Sequence, residues 1–214
     1  MIVYGSSISP YVRKVLAFVA EKGIEIEARP TGIGDANPEF RAVSPFGKMP
    51  ALSDGDYGLA DSSAIIHYLE AKQPAPNLIP TQAKARGRAI WFDEYADTLL
   101  FGAIQPMFFN RVVLPRFLKR DGDLAAADAA ERDALPLMLA YLEGQIPDSG
   151  FLVEDRLTLA DLSVASPFAN LGHLGIAIDP GIYPRTARYA AAILARPSFA
   201  SLIERETAFL ARTV

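Results

Sequence analysis

Three prolines within seven residues, Pro74, Pro76 and Pro80, divide the sequence into two unlike halves. Proline removes a backbone donor and fixes φ, so neither a helix nor an inner strand continues through such a run. Before it, short apolar runs alternate between strand and helix periodicity. Residues 2–4 read as a strand, and 10–22 as a helix with Val12, Val15, Leu16 and Val19 at helical spacing. Gly23 is a natural stop, and 24–28 reads as a second strand. A short helical turn is expected near 39–43. Residues 50–53 and 57–59 read as a hairpin about the Asp54-Gly55-Asp56 turn, and 61–72 as a helix. After the prolines, 84–118, 124–145, 159–172, 184–195 and 198–211 all read as helical, with a bend expected at Pro106 and Pro136 tolerated. The expected architecture is an α/β unit of order βαβ-α-ββα over residues 1–77, a linker at about 74–83, and an all-helical unit over 84–214.

Composition narrows the chemistry. Half of the 214 residues are hydrophobic and 21% are charged, which is globular composition. The 21 basic and 25 acidic residues leave a net charge of -4, arguing against nucleic acid or an anionic membrane as partner. There is no cysteine. Disulfides, thiolate metal sites and a redox thiol on the protein are therefore excluded. The N-terminus lacks the pattern of a secretory signal, and no apolar run reaches transmembrane length, so a cytoplasmic protein is expected. His67 and His173 are the only histidines, and their spacing supports no metal site.

Three short motifs stand out in the first unit, each of which is also ordinary capping or turn chemistry. Ser9-Pro10 suits a helix start, with serine at the N-cap and proline in the first turn. A helix N-terminus there would also stabilise an anion. Gly47-Lys48-Met49-Pro50-Ala51-Leu52 leads into the hairpin. Asp61-Ser62-Ser63-Ala64-Ile65 offers two good N-cap residues at the last helix of the unit, again where a carboxylate could be received.

In this order and spacing the three motifs resemble the thiol-binding half of the glutathione transferases. Glu21-Lys22-Gly23-Ile24 and His67-Tyr68-Leu69 extend the resemblance, and Thr158-Leu159-Ala160-Asp161-Leu162 is similar to the family's helix-capping motif in the helical half. The likeness is to serine-type, bacterial members with a thioredoxin-like N-terminal domain. It implies glutathione as co-substrate, no metal, and a homodimer. It further implies detoxification chemistry, in which a glutathione thiolate attacks a hydrophobic electrophile. By position Ser9 is the catalytic hydroxyl, with Tyr4, Ser6 and Ser7 as rivals. Lys48, Met49, Pro50, Asp61 and Ser62 join Ser9 in binding glutathione, with a cis peptide before Pro50 and the backbone of Met49 pairing with the tripeptide as an added strand. Asp61 stands one methylene short of the family's usual glutamate. Tyr11, Tyr95, Phe108 and Arg111 are the candidates for the electrophile's pocket. Members with cysteine in place of Ser9 reduce disulfides through it, a chemistry this chain lacks. Two alternatives share the scaffold: a non-catalytic binding or regulatory protein, and a glutathione-dependent lyase, isomerase or dehalogenase. Thr158 and Asp161 are expected to be structural, as a capping box.

Overall fold

The computed structural model describes residues 1–212, which form two compact units, Met1–Ile79 and the chain from Pro80 onward. In the first unit the order is β1 (Ile2–Tyr4), α1 (Pro10–Lys22), β2 (Glu27–Arg29), α2 (Pro38–Val43), β3 (Ala51–Asp54), β4 (Tyr57–Ala60) and α3 (Ser62–Lys72). The expected βαβ-α-ββα order is present. The strands lie in the order β2-β1-β3-β4. β1 pairs parallel with β2 and antiparallel with β3, and β3 pairs antiparallel with β4.

Alternation along β1 decides what each side of the sheet buries. Tyr4 packs with Phe40 of α2 and with Ala51, with Ile2, Val43 and Ala60 partly buried around them. Val12, Val15 and Phe18 of α1, and Ile65, Ile66 and Leu69 of α3, are fully buried, and the two helices pack together.

β2 starts three residues later than the sequence suggests. Gly23 takes a left-handed conformation (φ 64°) and its N–H bonds to Ala20 O, while Ile24 N–H reaches back to Val19 O at 3.0 Å. That pair of bonds is a Schellman close of α1, so Ile24 is consumed by the cap before a strand can begin. The remaining edge strand is short and carries Glu27 and Arg29, which suits a strand with a free edge.

Residues 76–79 belong to the first unit, because Glu70 fastens them there. Its Oε2 lies 2.7 Å from Lys22 Nζ, whose side chain is fully buried, and Lys22 also donates to Pro76 O at 2.7 Å. Its Oε1 accepts from Asn77 Nδ2 and from the N–H groups of Leu78 and Ile79.

The second unit contains α4 (Ala83–Glu94), α5 (Phe101–Phe108), α6 (Leu124–Ala129), α7 (Leu135–Glu143), α8 (Leu159–His173), α9 (Pro184–Leu194) and α10 (Pro197–Arg212). Three π-helical stretches, Tyr95–Leu100, Phe109–Phe117 and Ala130–Ala134, interrupt the two long helical runs. The second and third of them coincide with prolines. Pro106 lies inside α5 between two of them, Pro115 lies within the second, and Pro136 opens α7 directly after the third. A proline leaves a carbonyl one turn back without its donor, and a locally wider helix absorbs that defect.

α8 is the centre of the second unit, with every residue from Leu159 to Leu171 buried. Its start is the expected capping box. Asp161 Oδ2 accepts from Thr158 N–H at 2.9 Å, while Oδ1 accepts from Leu152 N–H at 2.9 Å and from the Tyr189 hydroxyl at 3.3 Å. Burial raises the Asp161 pKa to about 6, against the pull of these donors. The folded-state value thus exceeds the ordinary 3.8, so folding favours the protonated acid. Its contribution to stability is complete below about pH 4 and is lost as pH rises through about 6. Two pKa units correspond to about 3 kcal/mol. Urea unfolding at pH 4 and pH 7 should show the native chain losing about 3 kcal/mol more over that interval than an Asp161→Asn variant. Parallel pH dependences would exclude the effect.

Candidate functional site

The first unit brings its three motifs to one end of the sheet. At the end of β1, Gly5 has φ +142°, a conformation that a side chain rarely adopts. A Cβ built there would lie 2.6 Å from Val12 Cγ2 and 3.3 Å from Met49 Cβ. Only glycine allows the first turn of α1 and the Met49 loop to close on the strand end together. Sequence reasoning passed over Gly5, whose one signal was a glycine directly after a strand.

Ser9 occupies the N-cap position of α1 with extended backbone, and Pro10 follows it into the first turn. Its carbonyl accepts from Arg13 N–H at 2.9 Å, but its hydroxyl makes no bond to the helix it caps. The hydroxyl is therefore not spent on the local role for which serine is favoured there. Tyr11 is half-buried two residues on.

The peptide between Met49 and Pro50 is cis. Lys48 is exposed, with its carbonyl accepting from Ser44 Oγ at 2.6 Å, whereas Pro50 is buried. The β1–β3 ladder ends at the Tyr4–Ala51 pair, so the Met49 backbone lies outside it. β3 and β4 are in register from Ala51–Ala60 onward, and Asp61 N–H points back to Pro50 O at 3.4 Å. The hairpin register thus delivers the start of α3 beside the cis-proline.

Asp61 is the N-cap of α3, and its Oδ1 accepts from Ala64 N–H at 3.0 Å. Its backbone has φ 92° and ψ 131°, strained for a residue with a side chain. Ser62, the first residue of α3, is 3% exposed. Two buried cations on α1 accompany these groups: Arg13 is fully buried and Lys14 is 1% exposed. Lys14 Nζ donates to Ser63 Oγ at 3.2 Å.

Among the rivals to Ser9, Tyr4 is engaged elsewhere. It is 2% exposed, its hydroxyl lies 3.5 Å from Glu39 Oε2 and 3.4 Å from Arg29 Nη1, and its ring packs on Phe40. Ser6 and Ser7 are half-buried in the turn before Ser9, and Ser6 O accepts from Ser9 N–H.

In the second unit, Tyr95 and Phe108 lie in the interior. Tyr95 is 2% exposed, donates to Met138 O at 2.8 Å and packs against Phe92 and Tyr141, and burial raises its phenol pKa. Phe108 is 4% exposed. Both have the packing role that an aromatic-rich helix most often serves. Arg111 ties the stretch Phe109–Phe117 to the next helix through Asp128 and Glu131. With Arg132 and Pro136, these residues line a surface cleft. No cluster of three or more histidines, cysteines or carboxylates able to hold a metal occurs among the described residues. Nor is any described helix long and apolar enough to cross a membrane.

A small mixed sheet in βαβ-α-ββα order, followed along the chain by an all-helical unit, defines the two-part fold of the glutathione transferase class. The sequence matches the family descriptions "Glutathione S-transferase, N-terminal domain" over residues 3–77 and "Glutathione S-transferase, C-terminal domain" over residues 104–197. It is 30% identical to glutathione S-transferase 3 of Zea mays over 92% of this chain and 90% of the relative. It is 27% identical to a stringent starvation protein A homolog of Coxiella burnetii over 97% of this chain and 93% of that one. A glutathione S-transferase from Methylobacterium radiotolerans, solved in complex with glutathione sulfonate, superposes with a TM-score of 0.77 at 26% identity, covering 94% of this chain and 93% of its own. The chain belongs to the glutathione S-transferase family.

Proposed function

We propose that this chain binds glutathione through its first unit and activates the thiol for attack on a hydrophobic electrophile. What carries the reading is the convergence at Gly5. The start of α1 meets the Met49 loop there, and the Pro50–Asp61 contact brings the start of α3 to the same loop. Glutathione is a tripeptide with a thiol at its centre and carboxylates at its ends. Such a shape suits a hydroxyl at one helix start, an unladdered backbone segment, and a second helix start for the γ-glutamyl carboxylate.

Ser9 then donates its hydroxyl hydrogen bond to the sulfur, and the α1 N-terminus adds positive potential, so the thiol ionises at lower pH. The thiolate's electron pair forms the new carbon–sulfur bond while the electrophile's leaving group departs, or while its double bond takes up the charge. Met49 pairs through its backbone on the far side of the cis Met49–Pro50 peptide. Lys48 offers a cation to a terminal carboxylate. Asp61 and Ser62 hold the γ-glutamyl end. Tyr11 is assigned to the electrophile. A cytoplasmic homodimer acting in detoxification fits this chemistry, which needs no metal.

The family resemblance to a stringent starvation protein A homolog keeps a second reading open, that of glutathione binding without turnover. A lyase, isomerase or dehalogenase would share the thiol site and differ in its pocket. Retention on immobilised glutathione, combined with turnover of chromogenic aryl halides and epoxides, separates these readings. The expected result is retention with conjugation of at least one electrophile class. Retention with no turnover over a broad panel would favour the binding role, and lack of retention would sink the glutathione reading itself.

A further inference from the structure

Beside the Met49 loop stands a cation that no carboxylate neutralises. Arg41 lies in the last turn of α2 and is exposed. Its Nε donates to Asp35 O at 2.8 Å, a backbone acceptor, which ties the root of the guanidinium to the preceding loop. The guanidinium then lies against Gly47. A Cβ built there would meet Arg41 Nη1 at 2.6 Å, Cζ at 3.0 Å and Nη2 at 3.3 Å. Gly47 (φ +64°) permits this approach by its backbone conformation and by its missing side chain. Ser44 closes the turn that holds it, its carbonyl accepting from Gly47 N–H at 2.9 Å and its hydroxyl donating to Lys48 O. The neighbouring acids in the sequence are engaged elsewhere. Asp35 Oδ1 accepts from Asn37 N–H, and Glu39 pairs with Arg29. Arg41 Nη1 and Nη2 have no partner among the described residues. The exposed Lys48, next along the chain from Gly47, likewise has no ion partner among the described residues.

We propose that Arg41, together with Lys48, receives the glycyl carboxylate of glutathione and makes a free C-terminal carboxylate a condition of tight binding. The inference deepens the glutathione reading and rests on it. Direction follows from the hairpin. Asp61 N–H points to Pro50 O, so the start of α3 lies at the Pro50 end of the Met49 segment. A tripeptide with its γ-glutamyl end at α3, paired along Met49, therefore continues towards Lys48 and Gly47. One residue step in an extended chain is about 3.4 Å. The terminal carboxylate thus falls on the side of the loop where the two unneutralised cations stand. A guanidinium keeps its charge throughout the range in which an enzyme works, and its terminal N–H groups match the two oxygens of a carboxylate. With Nε held by Asp35 O and the group laid against Gly47, Arg41 loses less freedom on binding than an untethered arginine would.

The test is calorimetric titration of the full chain with glutathione and with its glycinamide derivative, which lacks only the C-terminal charge. The native chain should bind glutathione at least about tenfold more tightly than the amide. Arg41→Met should bind glutathione about tenfold more weakly than the native chain, equivalent to about 1.4 kcal/mol, while its affinity for the amide changes less than about twofold. Arg41→Lys keeps the charge without the planar fork, and should bind glutathione only about threefold more weakly than the native chain. Equal losses on both ligands would overturn the proposal by marking Arg41 as a support of the loop, as would no loss on either. Should Arg41→Met not fold, Arg41→Gln carries the same comparison, with thermal melts confirming the fold. A native chain that binds both ligands alike would overturn this inference alone. A native chain that binds neither would overturn the glutathione reading first, and this inference with it.

Discussion

Replacing Ser9 by alanine should lower kcat/KM at pH 7 by roughly tenfold while glutathione still binds. The expectation follows from thiol ionisation. An unperturbed thiol with pKa about 8.5 is about 3% thiolate at pH 7, and lowering that value by about two units raises the fraction to about 75%, a gain of about 25-fold. Such a shift requires about 2.7 kcal/mol, which a charge-assisted hydrogen bond of about 1.5–3 kcal/mol and a helix end can supply. Against this gain, a thiolate of lower pKa is a weaker nucleophile. With a Brønsted coefficient of about 0.45, two pKa units cost about eightfold. Ionisation alone therefore nets about threefold, and the rest of the expected loss comes from orientation of the sulfur by the hydroxyl. The diagnostic measurement is accordingly the pH profile. The ascending limb of kcat/KM should lie near pH 6.5 in the native chain and move up towards about 8.5 in Ser9→Ala, stopping short of it by the share that the α1 terminus supplies. Identical limbs, with glutathione bound in both, would remove Ser9 from thiol activation. The hydroxyl of Ser9 makes no bond to the α1 backbone, so its loss should leave the melting temperature almost unchanged.

The second large effect concerns stability. A Glu70→Ala variant should lose about 3–5 kcal/mol of unfolding free energy, the usual result of stripping one partner from a buried ion pair. Lys22 would keep a bond to Pro76 O but lose its counter-charge in a fully buried position. The N–H groups of Leu78 and Ile79 would lose their acceptor as well. A double variant, Lys22→Met with Glu70→Leu, should recover only the ion-pair part of the loss, because it removes the unpaired charge but still leaves the N–H groups of Leu78 and Ile79 without their acceptor. Urea unfolding of the native chain and these variants decides the matter. A Glu70→Ala loss under 1 kcal/mol would show that the pair contributes little. Amide exchange at Leu78 and Ile79 should accelerate in Glu70→Ala.

The course of the fold was legible in the sequence because it is written in local chemistry. Period-2 and period-3.6 runs, Gly23 at a helix stop, Asp54-Gly55-Asp56 at a hairpin turn and Thr158 with Asp161 at a capping box each act within a few residues. What escaped are pairings between distant positions. The Lys22–Glu70 pair spans 48 residues, and the Lys14–Ser63 bond spans 49. Nothing adjacent to any of these residues marks them as partners. Taken singly, Ser9, Met49-Pro50 and Ser62 read as helix starts and a turn, and the family resemblance alone joined them. Their meeting at one end of the sheet depends on Gly5 and on the Ala51–Ala60 register, which are tertiary facts. The late start of β2 is by contrast a local effect. The cap at Gly23 takes Ile24, a residue whose own preference is for strand. For Tyr95 and Phe108 aromatic density was the signal, and aromatic density marks interiors as well as pockets.

Asp61 is subject to two demands that pull its identity apart. Its backbone conformation is one that glycine adopts without strain, whereas the first turn of α3 needs a side-chain acceptor that glycine lacks. Glycine would relax the chain and uncap the helix, and alanine would do neither job. A longer glutamate would have to reach the Ala64 amide from a different distance while paying the same conformational cost. Asparagine keeps a short acceptor for the Ala64 amide at the same conformational cost. The residue at this position is therefore chosen for what it does for the α3 terminus and against the preference of its own backbone.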